Sequence, residues 1–271
     1  PFQFLEEIDT DKLRCINKCN LNLLDAEYRT SLSLTLNGQT CCNKVVIKQI
    51  PVKEPPLYYA KAFVHFLKQK NINFTGEITY NKHNPVNTEK IFEYCTPLKR
   101  LLQHLVKSSD NLVADVLVKY LGYHLFKQGS FEKGTLAIYN FISSLVNNKY
   151  FEVAIYDGSG ISRLNKVSPY IIIKVLEYLY ETLKDDIYSI FPYGGEKRTT
   201  LRGRFKNFPV KIWAKSGFLN NAYALSGIVN INTNIFLFSI LYNGNLGRWT
   251  VYNIQEKILK TLLNINNNRK R

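Results

Sequence analysis

An α+β fold is what the sequence predicts, on three observations. Apolar residues recur at helical spacing through the middle of the chain. Three apolar, β-branched runs follow one another in the last third, and a final run at helical period closes the chain. Helices gathered before an antiparallel sheet bury their apolar faces by packing on that sheet. With 271 residues, 45% of them hydrophobic and 13% aromatic, the chain can bury a sizeable core and is not disordered.

The elements follow in order. Residues 1–50 read as irregular, with one strand in "SLSLTLNG" (31–38). The proline pair of "VKEPP" (52–56) marks a boundary. A helix is expected over 57–71, where Leu57, Val64 and Leu67 share a face, and a strand over "INFTGEITY" (72–80). "PLKRLLQHLV" (97–106) places Leu98, Leu101, Leu102 and Leu105 at helical spacing; "SSDN" interrupts the period, and "LVADVLVKYLGYHLF" (112–126) resumes it. A further helix is read over 135–148, then a strand over 150–160 that ends in a glycine turn. Ser168 followed by Pro169 is a strong helix start, since serine caps and proline suits the first helical position. Strands are expected over 210–217, 223–231 and 234–242, and a closing helix over 250–264.

Lys and Arg exceed Asp and Glu by 36 to 21, a formal charge of +15. That balance suits polyanionic surroundings: nucleic acid, an acidic cell-wall polymer or an anionic membrane surface. The cations are spread out, and only "EKRTTLRGRFK" (196–206) and the tail "NNNRKR" are dense. No run approaches the roughly 18 apolar residues of a membrane span. The chain holds no Met and begins at Pro1 with acidic residues close behind, so the start reads as internal, with any signal peptide encoded upstream. The spacing of Cys15 and Cys19 is loosely zinc-like, but the adjacent Cys41 and Cys42 make a poor second half. A disulfide between the two pairs, leaving Cys95 free, is the alternative in an oxidising compartment. The four histidines form no metal-binding pattern, so neither a metal nor a cofactor is expected.

Two short motifs carry chemistry. In "KSSDNLV", Ser, Asp and Asn stand directly before an apolar-periodic run, where their oxygens can cap a helix. About a hundred residues on, Lys215-Ser216-Gly217 ends an expected strand. A Ser-x-Asn between helices followed by Lys-Ser/Thr-Gly on a strand edge is the ordered signature of penicillin-interacting serine enzymes. The string "YDGSGISRLNKVSP" is no nucleophile elbow, because position 157 is Asp where that motif needs Gly.

Serial agreement extends the match. "PPLYYAKAFVHFLKQKNINFTGEI", "KSSDNLVADVL", "YDGSGISRLNKVSP", "TTLRGRF" and "AKSGFLNNAYALSGIV" together resemble the class C low-molecular-mass penicillin-binding proteins, which are D-alanyl-D-alanine carboxypeptidases/endopeptidases. The resemblance runs from about residue 30 to about residue 260. It implies a penicillin-binding, serine β-lactamase-like transpeptidase fold, incomplete at the N-terminus. Residues 1–50 would end an inserted accessory domain, and 51–271 would be the C-terminal segment of the catalytic domain.

The resemblance also implies roles. Ser109 relays a proton to the leaving amine, and Lys215 supplies positive charge to that relay and to the substrate carboxylate. Asn111 holds the substrate amide, Ser216 binds the carboxylate, Gly217 lets substrate lie along the strand, and the Phe218 N–H faces the oxyanion. Ser216 stands where Thr is commoner, and Phe218 where Ser or Thr is usual, which bears on substrate range. The implied partners are peptidoglycan stem peptides, with β-lactams as inhibitors, in the periplasm. The family's attacking serine lies in a Ser-x-x-Lys upstream of these motifs. The one such string here, Ser130 to Lys133, follows them and is bracketed by Gly129 and Gly134, which is expected to deny it a stable helical turn. Two other readings stay open: a degenerate fold that binds cell wall without cleaving it, and a basic nucleic-acid binder built on 196–206. No nucleic-acid motif supports the latter.

Overall fold

The computed structural model describes residues 7–16, 23–28, 33–41, 52, 54–80, 89–146, 152–231 and 233–268. The chain divides into two compact units, Pro1–Phe92 and Glu93–Arg271. The division falls after Phe92, further along than the proline pair at 55–56.

The first unit holds strands β1 (Glu7–Ile16), β2 (Leu23–Tyr28) and β3 (Ser33–Cys41) and helix α1 (Pro55–Gln69). The sheet order is β1-β3-β2, with β1 parallel and β2 antiparallel to β3. The expected strand near 31–38 is β3; β1 and β2 were not anticipated. Their sequences, "EIDTDKLRCI" and "LLDAEY", show little apolar alternation, and pairing with β3 makes them strands. The strand expected over 72–80 does not form. A strand exists only through a ladder partner, and among the described residues these have none. The ladder places Cys15 opposite Thr40 and Ile16 opposite Cys41. Cys19 and Cys42 lie outside the described residues, and so does the expected cysteine pairing; Cys95 is a free, exposed thiol.

The second unit carries helices α2 (Leu98–Ser108), α3 (Asn111–Phe126), α4 (Phe131–Leu145), α5 (Pro169–Leu183) and α6 (Asp186–Ile190). Strands β4 (Ile212–Leu219), β5 (Ala222–Ile231) and β6 (Asn234–Asn243) form an antiparallel sheet in the order β4-β5-β6, and α7 (Arg248–Asn268) ends the unit. The expected α+β arrangement is observed. Of the strand expected over 150–160, the described residues form only a bridge between Ala154 and Lys166. Those residues pair with a short return segment, not with a sheet.

The sheet is covered on both faces. Leu225, Val229 and Ile231 of β5 pack with Leu259 and Leu263 of α7. Ile228, on the other face, packs with Leu176 of α5 and Ile187 and Ile190 of α6. Double coverage explains why β5 reads as a nearly continuous apolar run. Val251, Gln255, Leu259 and Leu263 recur every fourth residue along the buried stripe of α7.

Inside the dense basic run, Arg204 is only 6% exposed. Its guanidinium carbon lies 4.1 Å from the Tyr252 ring centre and 4.9 Å from that of Phe205, with Glu256 at 3.6 Å. Glu196 of the same run accepts from Lys107 at 2.7 Å. These two charges bind the run to α7 and α2 and do not face a polyanion.

Helices α3 and α4 meet at Gly134, where a Cβ would collide with the Val118 carbonyl oxygen. The expectation that flanking glycines would unwind this turn is therefore wrong. Gly134 sits within α4, and close helix packing offsets its low helix propensity.

Candidate active site

Helix α2 ends at Ser109, whose backbone is left-handed (φ 59°, ψ 54°). The chain thereby turns sharply before α3 begins. Asp110, in extended conformation, caps α3: its Oδ1 accepts from the Val113 N–H at 3.1 Å. Its Oδ2 lies 3.0 Å from His104 Nε2. The Val113 hydrogen bond foremost, then His104, holds the Asp110 carboxyl below the usual carboxylate range. The Ser108 hydroxyl donates back to the His104 carbonyl at 2.6 Å. Capping thus occupies Asp110 and leaves the Ser109 hydroxyl available.

That hydroxyl accepts from Lys215 Nζ at 2.7 Å, joining residues 106 positions apart. Nζ also donates to the Ser216 carbonyl at 2.6 Å. Burial without an acidic partner pushes the Lys215 ammonium down from 10.5 to about 8. Lys215 is thus a cation at neutral pH that yields its proton easily, and it touches a hydroxyl that can both donate and accept.

Both residues open onto a cleft of about 590 Å³. Asn111, Gly217 and Phe218 line it too. Asn111 is the first residue of α3, and among the described residues its carboxamide makes no hydrogen bond. Ser216 is not part of the lining: strand alternation puts its side chain on the face opposite Lys215 and Gly217. The outer edge of β4 is bridged to Tyr193 at Trp213, and among the described residues it is free of backbone partners from Lys215 onward.

The opposite wall is Ser159, Gly160 and Ile161, which were quoted in the sequence but given no role. Asp115, four residues beyond Asn111 on α3, secures this wall: its Oδ1 accepts from the N–H groups of Gly158 at 3.0 Å and Ser159 at 2.9 Å. Gly158 lies so near α3 that a Cβ would come within 2.5 Å of the Ala114 carbonyl oxygen. Asp157 folds the segment on itself, accepting from Gly160 at 2.9 Å, Ser162 at 2.6 Å and Asn165 at 2.7 Å. Burial opposes its ionisation, but the Asn165 amide and these N–H groups outweigh burial and hold its carboxyl below the usual range. The i, i+4 spacing of Asn111 and Asp115 was the available signal for this wall.

Ser130 is elsewhere. Its hydroxyl caps α4 by accepting from the Lys133 N–H at 3.2 Å, and Lys133 Nζ lies 3.3 Å from Glu132. Neither Ser130 nor Lys133 lines the cleft.

Comparison with known families places the chain. The family described as D-Ala-D-Ala carboxypeptidase 3 (S13) matches residues 6–264. The chain belongs to that family. Among curated relatives, the D-alanyl-D-alanine carboxypeptidase DacB of Haemophilus influenzae is 30% identical over 184 residues, 66% of this chain and 38% of that protein. The penicillin-sensitive carboxypeptidase A of Dictyostelium discoideum is 26% identical over 234 residues, 80% of this chain and 44% of that protein. The chain therefore spans less than half the length of either. Its fold is similar to the crystal structure of penicillin binding protein 4 (dacB) from H. influenzae complexed with a β-lactam, with a TM-score of 0.74 at 22% identity over 93% of this chain and 63% of that one. It is also similar to the penicillin G-acylated Bd3459 predatory endopeptidase of Bdellovibrio bacteriovorus, with a TM-score of 0.54 at 24% identity over 63% of this chain and 46% of that one. The α+β, penicillin-binding fold and the resemblance to class C low-molecular-mass penicillin-binding proteins expected from the sequence are thus both found.

Proposed function

We propose that this chain supplies the substrate-binding half of a serine D-Ala-D-Ala carboxypeptidase/endopeptidase that acts on peptidoglycan stem peptides in the periplasm. Family membership supports the reaction class, and the Lys215–Ser109 contact at 2.7 Å carries the assignment of residues. In this reading substrate lies along the free edge of β4, adding a strand to the sheet. Its terminal carboxylate meets the Lys215 ammonium, and Asn111 offers its unengaged carboxamide to the peptide amide. Ser109 relays to the departing D-alanine nitrogen the proton that the attacking serine gives up, while the Lys215 ammonium keeps its own proton and polarises that relay. The Phe218 N–H faces the oxyanion. Ser216 contributes its hydroxyl only where the carboxylate passes the strand edge, since it stands outside the lining. The attacking serine lies outside these 271 residues, because Ser130 is engaged as a helix cap away from the cleft. Residues 1–50 end an accessory domain, and 51–271 belong to the catalytic one. β-Lactams, whose carboxylate mimics the terminal one, would occupy the same cleft.

Titration of the chain with N-acetyl-D-Ala-D-Ala, followed by NMR, tests this. Shifts should appear at Asn111 and along β4, and Lys215→Ala should abolish them. Equal binding of the L,L dipeptide, or binding that survives Lys215→Ala, would contradict the reading.

A further inference from the structure

Strand alternation sends the Phe218 ring to the sheet face opposite Lys215 and the cleft. There Phe218, Tyr223 and Tyr242 occupy paired positions on β4, β5 and β6. Their ring centres follow one another at 5.3 and 6.1 Å. Helix α7 adds Tyr252, 6.3 Å from Tyr223, and Trp249, 6.0 Å from Tyr252. Tyr223 is buried and anchors the row, whereas Phe218 is 49% and Trp249 74% exposed. A row of rings that is buried at its centre and open at its ends is a surface built for contact.

The rings stand on braced backbone. The Tyr242 hydroxyl accepts from the Leu246 N–H at 3.1 Å, and the Gly244 N–H donates to the Asn221 carbonyl at 2.9 Å, which ties the loop before α7 to the β4–β5 turn. Trp249 meets Tyr252 edge-on, at 87°, and so keeps its own face open. Around the rings Asn220, Asn221, Asn245 and Asn253 are exposed, and among the described residues their carboxamides make no hydrogen bond. Asn253 stands one helical turn beyond Trp249 on the same face of α7. Segments 217–223 and 242–254 hold no Asp or Glu and one cation, Arg248, whose guanidinium lies 4.0 Å from the Phe218 ring centre. A purely apolar partner would strand these amides, and a polyanion would find a single cation. A glycan of N-acetylhexosamines satisfies both parts of the surface. Its C–H faces lie flat on an indole or phenyl ring, and its hydroxyl and acetamido groups pair with carboxamides, which donate and accept.

We infer that Trp249 and Phe218, with Asn245 and Asn253, form a binding site for a neutral N-acetylhexosamine glycan, separate from the cleft. The inference rests on the peptidoglycan reading above, in which the stem peptide lies along β4 and is joined to a glycan strand. Strand β4 belongs to both surfaces: Lys215 and Gly217 serve the cleft, and the Phe218 ring serves the platform. Sugars held at the platform keep their own stem peptide at high local concentration beside the cleft, so two weak contacts act together.

The test titrates the 271-residue chain with tri-N-acetylchitotriose and, separately, with N-acetyl-D-Ala-D-Ala, each followed by NMR. The trisaccharide should shift the Trp249 indole N–H and the Asn245 and Asn253 carboxamides and leave Asn111 and Lys215 unmoved. Trp249→Ala should weaken it about tenfold, the scale of one lost aromatic stack. Trp249→Phe should recover most of that loss, and neither variant should alter dipeptide binding or, at so exposed a position, the melting temperature. Cellotriose, which lacks the acetamido groups, should bind more weakly, and Asn253→Ala should narrow the difference. A trisaccharide that leaves Trp249 unmoved, or that binds equally well after Trp249→Ala, overturns the site. So does a chain that sediments as a dimer until Trp249→Ala frees the monomer, because the patch then belongs to a second copy. Failure of the dipeptide alone, with the trisaccharide still bound at Trp249, counts against the D-Ala-D-Ala reading and leaves the glycan site standing.

Discussion

Backbone conformation separates two neighbouring residues that the sequence presents as equivalent. Ser109 is left-handed, while Asp110 is extended and caps α3. Asp110→Ala should therefore cost about 1 kcal/mol of stability, the usual value of a lost cap. Ser109→Gly should do the opposite. Glycine adopts a positive φ without strain, so the variant should melt no lower than the parent while losing D-Ala-D-Ala binding. Thermal melts and dipeptide titrations on the same two proteins check both. A Ser109→Gly protein that melts lower and binds normally would make that serine structural. Lys215 provides a pH signature. In the unfolded chain it titrates near 10.5 and in the folded one near 8. Between those values the unfolded state binds more protons, so raising the pH favours folding. Relative to Lys215→Met, the parent should gain roughly 2–3 kcal/mol from pH 8 to above 10. A flat difference across that range would show that the ammonium is not desolvated.

At the scale of elements, close approach decides which segments can pack. Gly134 lets α4 press on α3, and Gly158 lets the loop that forms one cleft wall press on the same helix. Gly134→Ala would gain helix propensity yet collide with the Val118 carbonyl. We expect a net loss of about 1–3 kcal/mol, the range for overpacking, read from urea denaturation midpoints. A variant as stable as the parent would mean that α3 and α4 can separate without cost. The same contacts carry Asp115, which ties the wall at 157–161 to the helix that presents Asn111. One helix thus places groups on two sides of the cleft.

For the whole molecule, the positive charge of the chain serves two ends. Arg204 and Lys107 are used internally, against Tyr252 and Glu196, while Lys166 and Lys215 face the cleft. No helix among the described residues is long and apolar enough to cross a membrane. Labelled penicillin should leave no covalent adduct on the 271-residue chain, and Ser130→Ala should change nothing. An adduct mapped to Ser130 by mass spectrometry would overturn the placement of the attacking serine outside this chain.

Local pattern by itself determined much of this protein. The helical periods of α2 to α5 and α7, the apolar runs of β4 to β6, the α+β class and the pairing of Ser-x-Asn with Lys-Ser-Gly were all legible, because each depends on residues a few positions apart. The strands β1 and β2, the failure of 72–80 to become a strand and the helical turn at Ser130 were not, because ladder partners and helix contacts are nonlocal. At the site, residue types were readable but their roles were shared out only by folding. Composition could not show that Asp110 would cap, that Ser109 would turn left-handed, that Asp115 would brace the opposite wall or that Ser216 would face away. Those outcomes follow from the backbone's path and from the desolvation of Lys215, and both exist only once α2, α3 and β4 have come together.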